Sequence, residues 1–331
     1  FEALRKKYPA VELHYLINAG TAAVVENHPY IDKLVILDSK SQNSMGAIFG
    51  FFKKIKTEKY DLVIDLYSKF FSAGVSFFSG AKKRIGKKKW YLAWAYTDGI
   101  TLTPHSPQVS IPMAFLNRFD FLKPIMIGDE IDFDIKPRIF VSENERKSMS
   151  EKLQTYGLGD NLIMVNCLGS SDSKTYPMEY MARLLEFTVA NFPEKTLLLN
   201  FAPTQKQEAE KLISLCNEKT RRAIPEFHAH GLREFIVLTT FCEAVIGNEG
   251  GAINIAKALK IKTWCIFSPW IKPESWVHKN AAEDVAIHLK YFRPELFSGH
   301  EKHTKKRYQE LYALLKPALL FDSLKSFLNK I

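Results

Sequence analysis

The residues best suited to chemistry lie in a polar loop at positions 166–177 (NCLGSSDSKTYP). An apolar run precedes this loop and a segment with helical spacing follows it, which predicts a strand, the loop and then a helix. In open α/β sheets, anionic ligands bind where strands end and the N–H groups of helix starts point outward. The hydroxyls of Ser170 and Ser171 and the ammonium group of Lys174 suit a diphosphate. An ordinary serine-rich surface loop is the alternative that composition leaves open.

A second loop, at positions 247–254 (GNEGGAIN), stands at another predicted strand-to-helix junction. Gly250 and Gly251 permit close backbone approach and offer N–H groups, and Glu249 is a carboxylate just before the helix start. Paired glycines are common in turns, so the pattern gains its weight from its position, which matches that of the first loop.

A basic run at positions 82–91 (KKRIGKKKWY) follows the third predicted strand and its helix. Its density of cations favours contact with a polyanion, and a solvated charged face is the alternative. Aromatic residues beside cations also fit single-stranded nucleic acid, but no recognisable nucleic-acid-binding fold accompanies them. The cations are Lys82, Lys83, Arg84, Lys87, Lys88 and Lys89.

Other patterns carry less weight. Residues 132–134 (DFD) form a pattern that holds a divalent metal in some transferases, but their alternating surroundings favour an exposed strand face. No dinucleotide-binding GxGxxG pattern occurs in the first half. Two histidine pairs lack a third metal ligand at a convincing spacing: His228 with His230, and His300 with His303.

Strand-like and helix-like segments alternate along both halves, which predicts parallel sheets with crossover helices. We therefore expect two doubly wound α/β domains, residues 1–150 and 151–331, because 129–144 is charged and contains a proline. The segment 302–331 is predicted to form two helices split at Pro317, which could cross back onto the first domain. The predicted strands are residues 11–17, 34–37, 61–66, 162–167, 196–200, 244–247 and 263–267.

Composition narrows the class of protein. The 331 residues are 46% hydrophobic and 25% charged, which excludes a disordered chain, and no apolar stretch reaches the length of a membrane span. No signal peptide is visible, and four cysteines without a CxxC pair predict reduced thiols in the cytoplasm. The net charge of +10 favours an anionic partner: nucleic acid, an acidic membrane surface or a phosphorylated substrate.

Four stretches together resemble glycosyltransferase family 9, the lipopolysaccharide heptosyltransferases and their relatives. The resemblance implies the GT-B fold: two Rossmann-like domains with parallel sheets facing a cleft, the acceptor on the N-terminal domain and the nucleotide sugar on the C-terminal one. It implies no metal and no other cofactor. The stretches are residues 3–16 with 28–32, 60–66 with 79–86, 168–177, and 247–258.

Two departures from the family pattern leave the donor sugar and nucleotide open. Glu249 stands where the family usually has aspartate, and Asn254 where it usually has histidine. In addition, the chain opens on a helical pattern that no capping residue precedes, so we expect the family's first strand, and the loop with its catalytic base, to lie before Phe1. A chain without them should bind donor and fail to turn over.

The leading hypothesis is an inverting, metal-independent transfer of a heptose or similar sugar to a lipopolysaccharide core or related acidic glycan. Lys174, the serines and the glycine N–H groups would meet the leaving diphosphate, while Glu249 and Asn254 would hold the donor. The basic run would bind an acidic glycolipid, keeping the enzyme at the cytoplasmic face of the inner membrane. The alternatives are a nucleotide-sugar-binding module without turnover, and nucleic-acid binding through the basic run.

Overall fold

The computed structural model describes residues 1–102, 117–126, 137–277, 283–297 and 304–331. The chain separates into two compact units. The first contains Phe1–Ala22 and His28–Lys136, and the second contains Ala23–Asn27 and Pro137–Ile331. The strands pair in parallel in both units, as the alternation of segments predicts.

Among its described residues, the first unit holds one two-stranded and one three-stranded sheet. Strand β1 (His14–Asn18) pairs with β2 (Lys33–Leu37), and β3 (Leu62–Asp65), β4 (Lys83–Lys87) and β5 (Asp98–Ile100) pair in that order. The helices are α1 (Glu2–Lys7), α2 (Met45–Thr57) and α3 (Phe70–Phe78).

Helix α2 shows how sequence builds this unit. Its N-cap, Ser44, accepts a hydrogen bond from the backbone N–H of Ala47, which satisfies one of the N–H groups left open at a helix start. Phe51, Phe52 and Ile55 then lie on its buried face and pack in a cluster with strand β2 and helix α3.

The second unit is built on one five-stranded parallel sheet, in the order β10-β9-β8-β6-β7. The strands are β6 (Leu162–Asn166), β7 (Thr196–Asn200), β8 (Cys242–Asn248), β9 (Lys262–Ile266) and β10 (Asp284–Ile287). The helices are α4 (Glu143–Thr155), α5 (Met178–Asn191), α6 (Lys206–Leu215), α7 (Glu218–Ala223), α8 (Leu232–Thr239), α9 (Gly251–Ala258), α10 (Tyr308–Leu314) and α11 (Phe321–Leu328).

Both faces of this sheet are covered. Because side chains alternate along a strand, Ile163 and Val165 enter a cluster with α5, α6, α10 and α11, whereas Leu162 and Met164 enter one with α4, α8 and α9. Helix α4 contains the boundary expected at residue 150, and its packing places it in the second unit. The two terminal helices also pack on this sheet.

The segment Ala23–Asn27 belongs to the second unit. Arg233 on α8 holds it there by hydrogen bonds. Its guanidinium donates to the carbonyl oxygen of Ala23 at 3.0 Å and to both carboxylate oxygens of Glu145, at 2.6 and 2.9 Å. The amide of Asn27 donates to the same carboxylate at 2.8 Å. The hydrogen bonds from Arg233 foremost, and then those from Ser142, lower the pKa of Glu145 to about 2 against the opposing effect of burial.

The strand order fixes where a ligand can bind. Strand β6 lies between β7 and β8, so the order of connection reverses at β6 and β8, which form the topological switch point of the sheet. The loops that leave the carboxyl ends of these two strands are the two loops predicted to carry chemistry. Among the described residues, every helix is too short or too polar to span a bilayer.

Candidate active site

The two loops at the switch point are joined by an ion pair. Lys174 Nζ lies 3.0 Å from Glu249 Oε1. Lys174 closes a short helical turn after β6, and Glu249 follows β8 directly, with its backbone N–H donating to Ile266 O of β9 at 2.9 Å. Residues predicted separately from two loops thus meet at one place.

The Glu249 carboxylate is buried. The residue is 8% exposed, and Oε1 receives no hydrogen bond from the described part of the chain. The ammonium group of Lys174 lies 3.0 Å from this oxygen without hydrogen-bond geometry, so Oε1 can still accept a hydrogen bond from a ligand hydroxyl. Since Lys174 Nζ is the cation beside it, the site offers an acceptor and a cation side by side.

An indole ring carries two cations at the edge of this site. Lys174 Nζ lies 5.6 Å from the ring centroid of Trp270, and Lys305 Nζ lies 4.9 Å from the same centroid. The indole N–H and the hydroxyl of Ser268 both donate to the carbonyl oxygen of Ser173, at 3.2 and 2.5 Å. The segment after β9 therefore holds the first loop in place.

The first loop is also held by its own hydrogen bonds. The hydroxyl of Thr175 accepts from the N–H of Gly169 at 3.1 Å and donates to the carbonyl oxygen of Ser171 at 3.0 Å. A Cβ at Gly169 would lie 2.4 Å from Lys174 O, so only glycine lets the loop close on itself. The Lys174 ammonium therefore projects from a fixed backbone.

Three asparagines that end strands tie the switch point together. The side chain of Asn248 donates to the carbonyl oxygens of Asn166 and Cys167, and accepts from the N–H of Tyr176 at 2.7 Å. Asn166 donates to Asn248 O at 2.7 Å and accepts from Asn200 at 3.1 Å. The sequence analysis missed this network, although its signal is visible: β6, β7 and β8 each end in asparagine.

The remaining donor-site candidates lie around this pair. Gly250 and Gly251 enter helix α9, whose first N–H groups lack acceptors within the helix and form its positive end. Asn254 lies in its first turn and is half-buried, whereas Ser170 and Ser171 are exposed in the first loop. The fold therefore brings Lys174, Glu249 and a helix start together, with the serines beside them in sequence.

The basic run does not form one cationic face. It supplies strand β4, whose side chains alternate between the two faces of the sheet. Lys83, Arg84 and Lys89 donate to backbone carbonyl oxygens of their own unit, so they help to hold the fold. The cations whose side chains make no such bond to the described residues are Lys82, Lys87 and Lys88.

The other patterns do not gather into a site. Residues 132–134, His300 and His303 lie outside the described residues. The rings of His228 and His230 are 5.2 Å apart, and within the described ranges no group of three or more His, Cys, Asp or Glu side chains could hold a metal ion. The cysteines are free and buried, as expected, and burial raises the pKa of the Cys167 thiol to about 12.

Comparison with known proteins assigns this architecture. Residues 48–279 match the model of glycosyltransferase family 9 (heptosyltransferase). Lipopolysaccharide heptosyltransferase 1 from Campylobacter coli is 25% identical over 272 residues, which cover 80% of this chain and 77% of that protein.

Two solved structures share the fold. The glycosyl transferase family 9 protein from Veillonella parvula DSM 2008 has a TM-score of 0.78 at 18% identity, over 100% of this chain and 92% of that one. The E. coli ADP-heptose lps heptosyltransferase II has a TM-score of 0.73 at 16% identity, over 99% and 93%. The GT-B fold class is confirmed, and the chain is a glycosyltransferase that belongs to family 9.

Proposed function

We propose that the second unit binds a nucleoside-diphosphate sugar and that the enzyme transfers the sugar, with inversion, to a lipopolysaccharide core or related acidic glycan. The names of two similar proteins support this proposal: one is a lipopolysaccharide heptosyltransferase and the other an ADP-heptose lps heptosyltransferase. A heptose or similar sugar on a nucleoside diphosphate is the donor class. The reaction would take place at the cytoplasmic face of the inner membrane.

The observation that carries the proposal is the Lys174–Glu249 pair at the switch point of the second sheet. During transfer, a carboxylate base takes the proton of an acceptor hydroxyl, whose oxygen attacks the anomeric carbon while the bond to the diphosphate breaks, so negative charge collects on the leaving phosphate. Lys174 Nζ and the N–H groups of Gly250 and Gly251 would stabilise that charge. Loss of one such preorganised donor typically costs about 3–4 kcal/mol of barrier.

Glu249 would hold the sugar rather than the phosphate. Its buried Oε1 can accept a hydrogen bond from a sugar hydroxyl, and Lys174 lies beside the carboxylate. Asn254, one turn into helix α9, would bind a phosphate or ribose oxygen, and Ser170 and Ser171 would close over the diphosphate from the first loop.

We further propose that transfer needs no metal and no other cofactor, because a lysine and a helix start can neutralise the diphosphate. Activity unchanged by EDTA would support this, and a requirement for added Mg²⁺ would contradict it. The acceptor's acidic groups would bind the basic run, where Lys82, Lys87 and Lys88 keep ammonium groups for a ligand.

Calorimetric titration of the full chain with ADP, UDP and GDP and their sugars tests the donor site and identifies the nucleotide. Lys174→Ala should weaken diphosphate binding by about 10- to 100-fold, because it removes a charge-assisted hydrogen bond. Binding of the matching nucleoside should be unchanged. Lys206→Ala, in an exposed lysine of the same unit, is the control.

Equal diphosphate binding in Lys174→Ala and wild type would refute the assigned role. Incubation of the full-length protein, with the loop expected to carry the catalytic base, with donor and a lipopolysaccharide core acceptor then separates an enzyme from a binding module. NMR of the product should show the opposite anomer from that of the donor, and a retained anomer would contradict inversion.

A further inference from the structure

Large aromatic side chains are exposed on one region of the first unit. Trp90 is 89% exposed, Phe70 68% and Phe49 53%. Monomeric proteins rarely expose contiguous apolar surface without a binding function. The aromatic surface, as it is called below, consists of Phe49, Phe70, Phe77, Phe78, Trp90, Tyr91 and Trp94.

Helix α3 makes this surface continuous. Phe70 and Phe77 are seven positions apart, which is close to two helical turns, so they lie on the same face. The Phe70 ring centroid is 5.6 Å from that of Tyr91, and the Phe77 centroid is 5.4 Å from that of Trp94. Trp90 adjoins Tyr91 at 5.6 Å.

The surface extends from α3 to helix α2. The ring of Phe78 lies 5.3 Å from that of Phe77 and 6.2 Å from that of Phe49. Helix α2, residues 45–57, contains three lysines and no acidic residue.

The segment that carries most of these rings is rich in cations and contains no acidic residue. Residues 66–97 contain seven lysines and arginines and no aspartate or glutamate. Lys89 Nζ lies 5.8 Å from the Tyr91 ring centroid, and Arg84 Cζ lies 5.9 Å from that of Phe77. Apolar rings beside positive charge are therefore the chemistry that this surface offers.

We propose that the aromatic surface docks the first unit onto an anionic lipid bilayer, with its rings at the headgroup level and the neighbouring cations on acidic headgroups. Aromatic rings favour the membrane interface, and each cation near an anionic surface contributes about 1 kcal/mol. The weak attraction of the rings to the interface and the weak attraction of the cations to the headgroups together give stable attachment. The docking deepens the proposed function, on which it rests for its purpose, because the acceptor glycolipid lies in that membrane.

Charge and fold favour a bilayer over two other occupants. A second copy of the chain would bring two cationic surfaces together in a symmetric interface, which is repulsive. Bases of single-stranded nucleic acid would stack on these rings, but no recognisable nucleic-acid-binding fold accompanies them.

Flotation of the full chain with vesicles tests the docking. Wild type should float with vesicles of phosphatidylglycerol and phosphatidylcholine, and not with phosphatidylcholine alone. The double variant Phe70→Ser/Trp90→Ser should lose at least about tenfold in partitioning, since two exposed rings no longer reach the interface. Trp276→Ser, an exposed tryptophan of the second unit, should float like wild type.

Equal flotation of the double variant and wild type would overturn the assignment of this surface, and no flotation of wild type would overturn docking itself. Binding to oligothymidylate that the double variant loses, without flotation, would replace the bilayer by nucleic acid. Circular dichroism and nucleotide titration verify that each variant folds. Because the assay contains neither donor nor acceptor, its failure leaves the transfer proposal standing, and absent transfer with normal flotation counts against the transfer proposal alone.

Discussion

At the scale of single residues, the donor site depends on the different binding roles of a buried carboxylate and the lysine beside it. Water is largely excluded around Glu249, so its attraction to Lys174 at 3.0 Å is stronger than in solution. The same carboxylate repels a diphosphate and accepts hydrogen bonds from a sugar. Removal of the Glu249 charge should therefore strengthen the binding of the nucleotide alone and weaken the binding of the nucleotide sugar.

Replacing Glu249 by glutamine separates these effects. In Glu249→Gln the repulsion disappears and Lys174 is released, so ADP, or whichever nucleoside diphosphate binds, should bind as tightly as to wild type or more tightly. The ratio of the affinity for the nucleotide sugar to that for the free nucleoside diphosphate should fall by about 10- to 100-fold. The reason is that a charge-assisted hydrogen bond from the sugar is replaced by a neutral one. Calorimetry with both ligands measures the ratio.

A parallel loss for both ligands in Glu249→Gln would mean that Glu249 acts on the phosphate or on the fold. Glu210→Gln is the matched control, since this glutamate is exposed and pairs with a lysine on α6. It should leave both affinities unchanged.

At the scale of elements, the strand ends rather than the strands themselves make the site. Asn248 ends β8 and forms hydrogen bonds with two carbonyl oxygens and one N–H of the β6 segment and its loop. Parallel pairing alone would not set the distance between the two loops. The side chain of Asn248 does so, because it spans from one strand end to the loop of its neighbour.

Asn248→Ala should destabilise the second unit by about 3 kcal/mol, since it leaves buried backbone groups without partners. Guanidinium unfolding followed by circular dichroism measures this loss, and donor affinity should fall with it because Lys174 is no longer fixed. Asn191→Ala, which removes one exposed hydrogen bond to Phe187 O, should cost less than about 1 kcal/mol. Similar losses in the two variants would show that the network does not hold the switch point.

The elements themselves were largely predictable, and their side-chain contacts were not. Branched runs marked β6 and β7 closely: β7 has its predicted bounds, and β6 ends one residue before its predicted end. In contrast, the strand predicted at residues 11–17 begins only at His14. Composition predicted that the cations of the basic run form one patch. Along strand β4, however, successive side chains lie on opposite faces of the sheet.

Contacts between loops that are far apart in sequence could not be predicted from sequence patterns, for a physical reason. The meeting of Lys174 with Glu249 depends on the order of strands in the sheet, and periodicity carries no information about that order. The role of Trp270 was missed because nothing local marks it: its contacts are to Ser173 and two lysines far away in sequence.

At the scale of the whole molecule, stability and function divide between the units. The second unit contains two large hydrophobic clusters, one on each face of its sheet, together with the predicted donor site. The first unit presents the aromatic surface. Acid conditions should affect the stability of the second unit through groups buried in it, and His288, directly after β10, is the clearest of these.

Burial, and then the charge of Lys290, lowers the pKa of His288 to about 4 from 6.5. The unfolded chain thus binds this proton more readily, so the contribution to stability is complete above pH 6.5 and is lost as the pH falls towards 4. Between pH 7 and 5 the loss should be about 2 kcal/mol. The pKa of Glu145 is about 2, so the stability that this carboxylate contributes is lost only below pH 4.5, outside the window from pH 7 to pH 5.

His288→Asn should flatten the pH dependence, because asparagine can still accept the hydrogen bond from Lys290 N–H but does not titrate. Guanidinium unfolding at pH 7 and pH 5 measures the two free energies of unfolding. His230→Asn, at an exposed histidine, should keep the wild-type difference. If His288→Asn also kept the full difference, another buried group would have to take up the proton, since only a site that binds protons more weakly when folded can produce this slope.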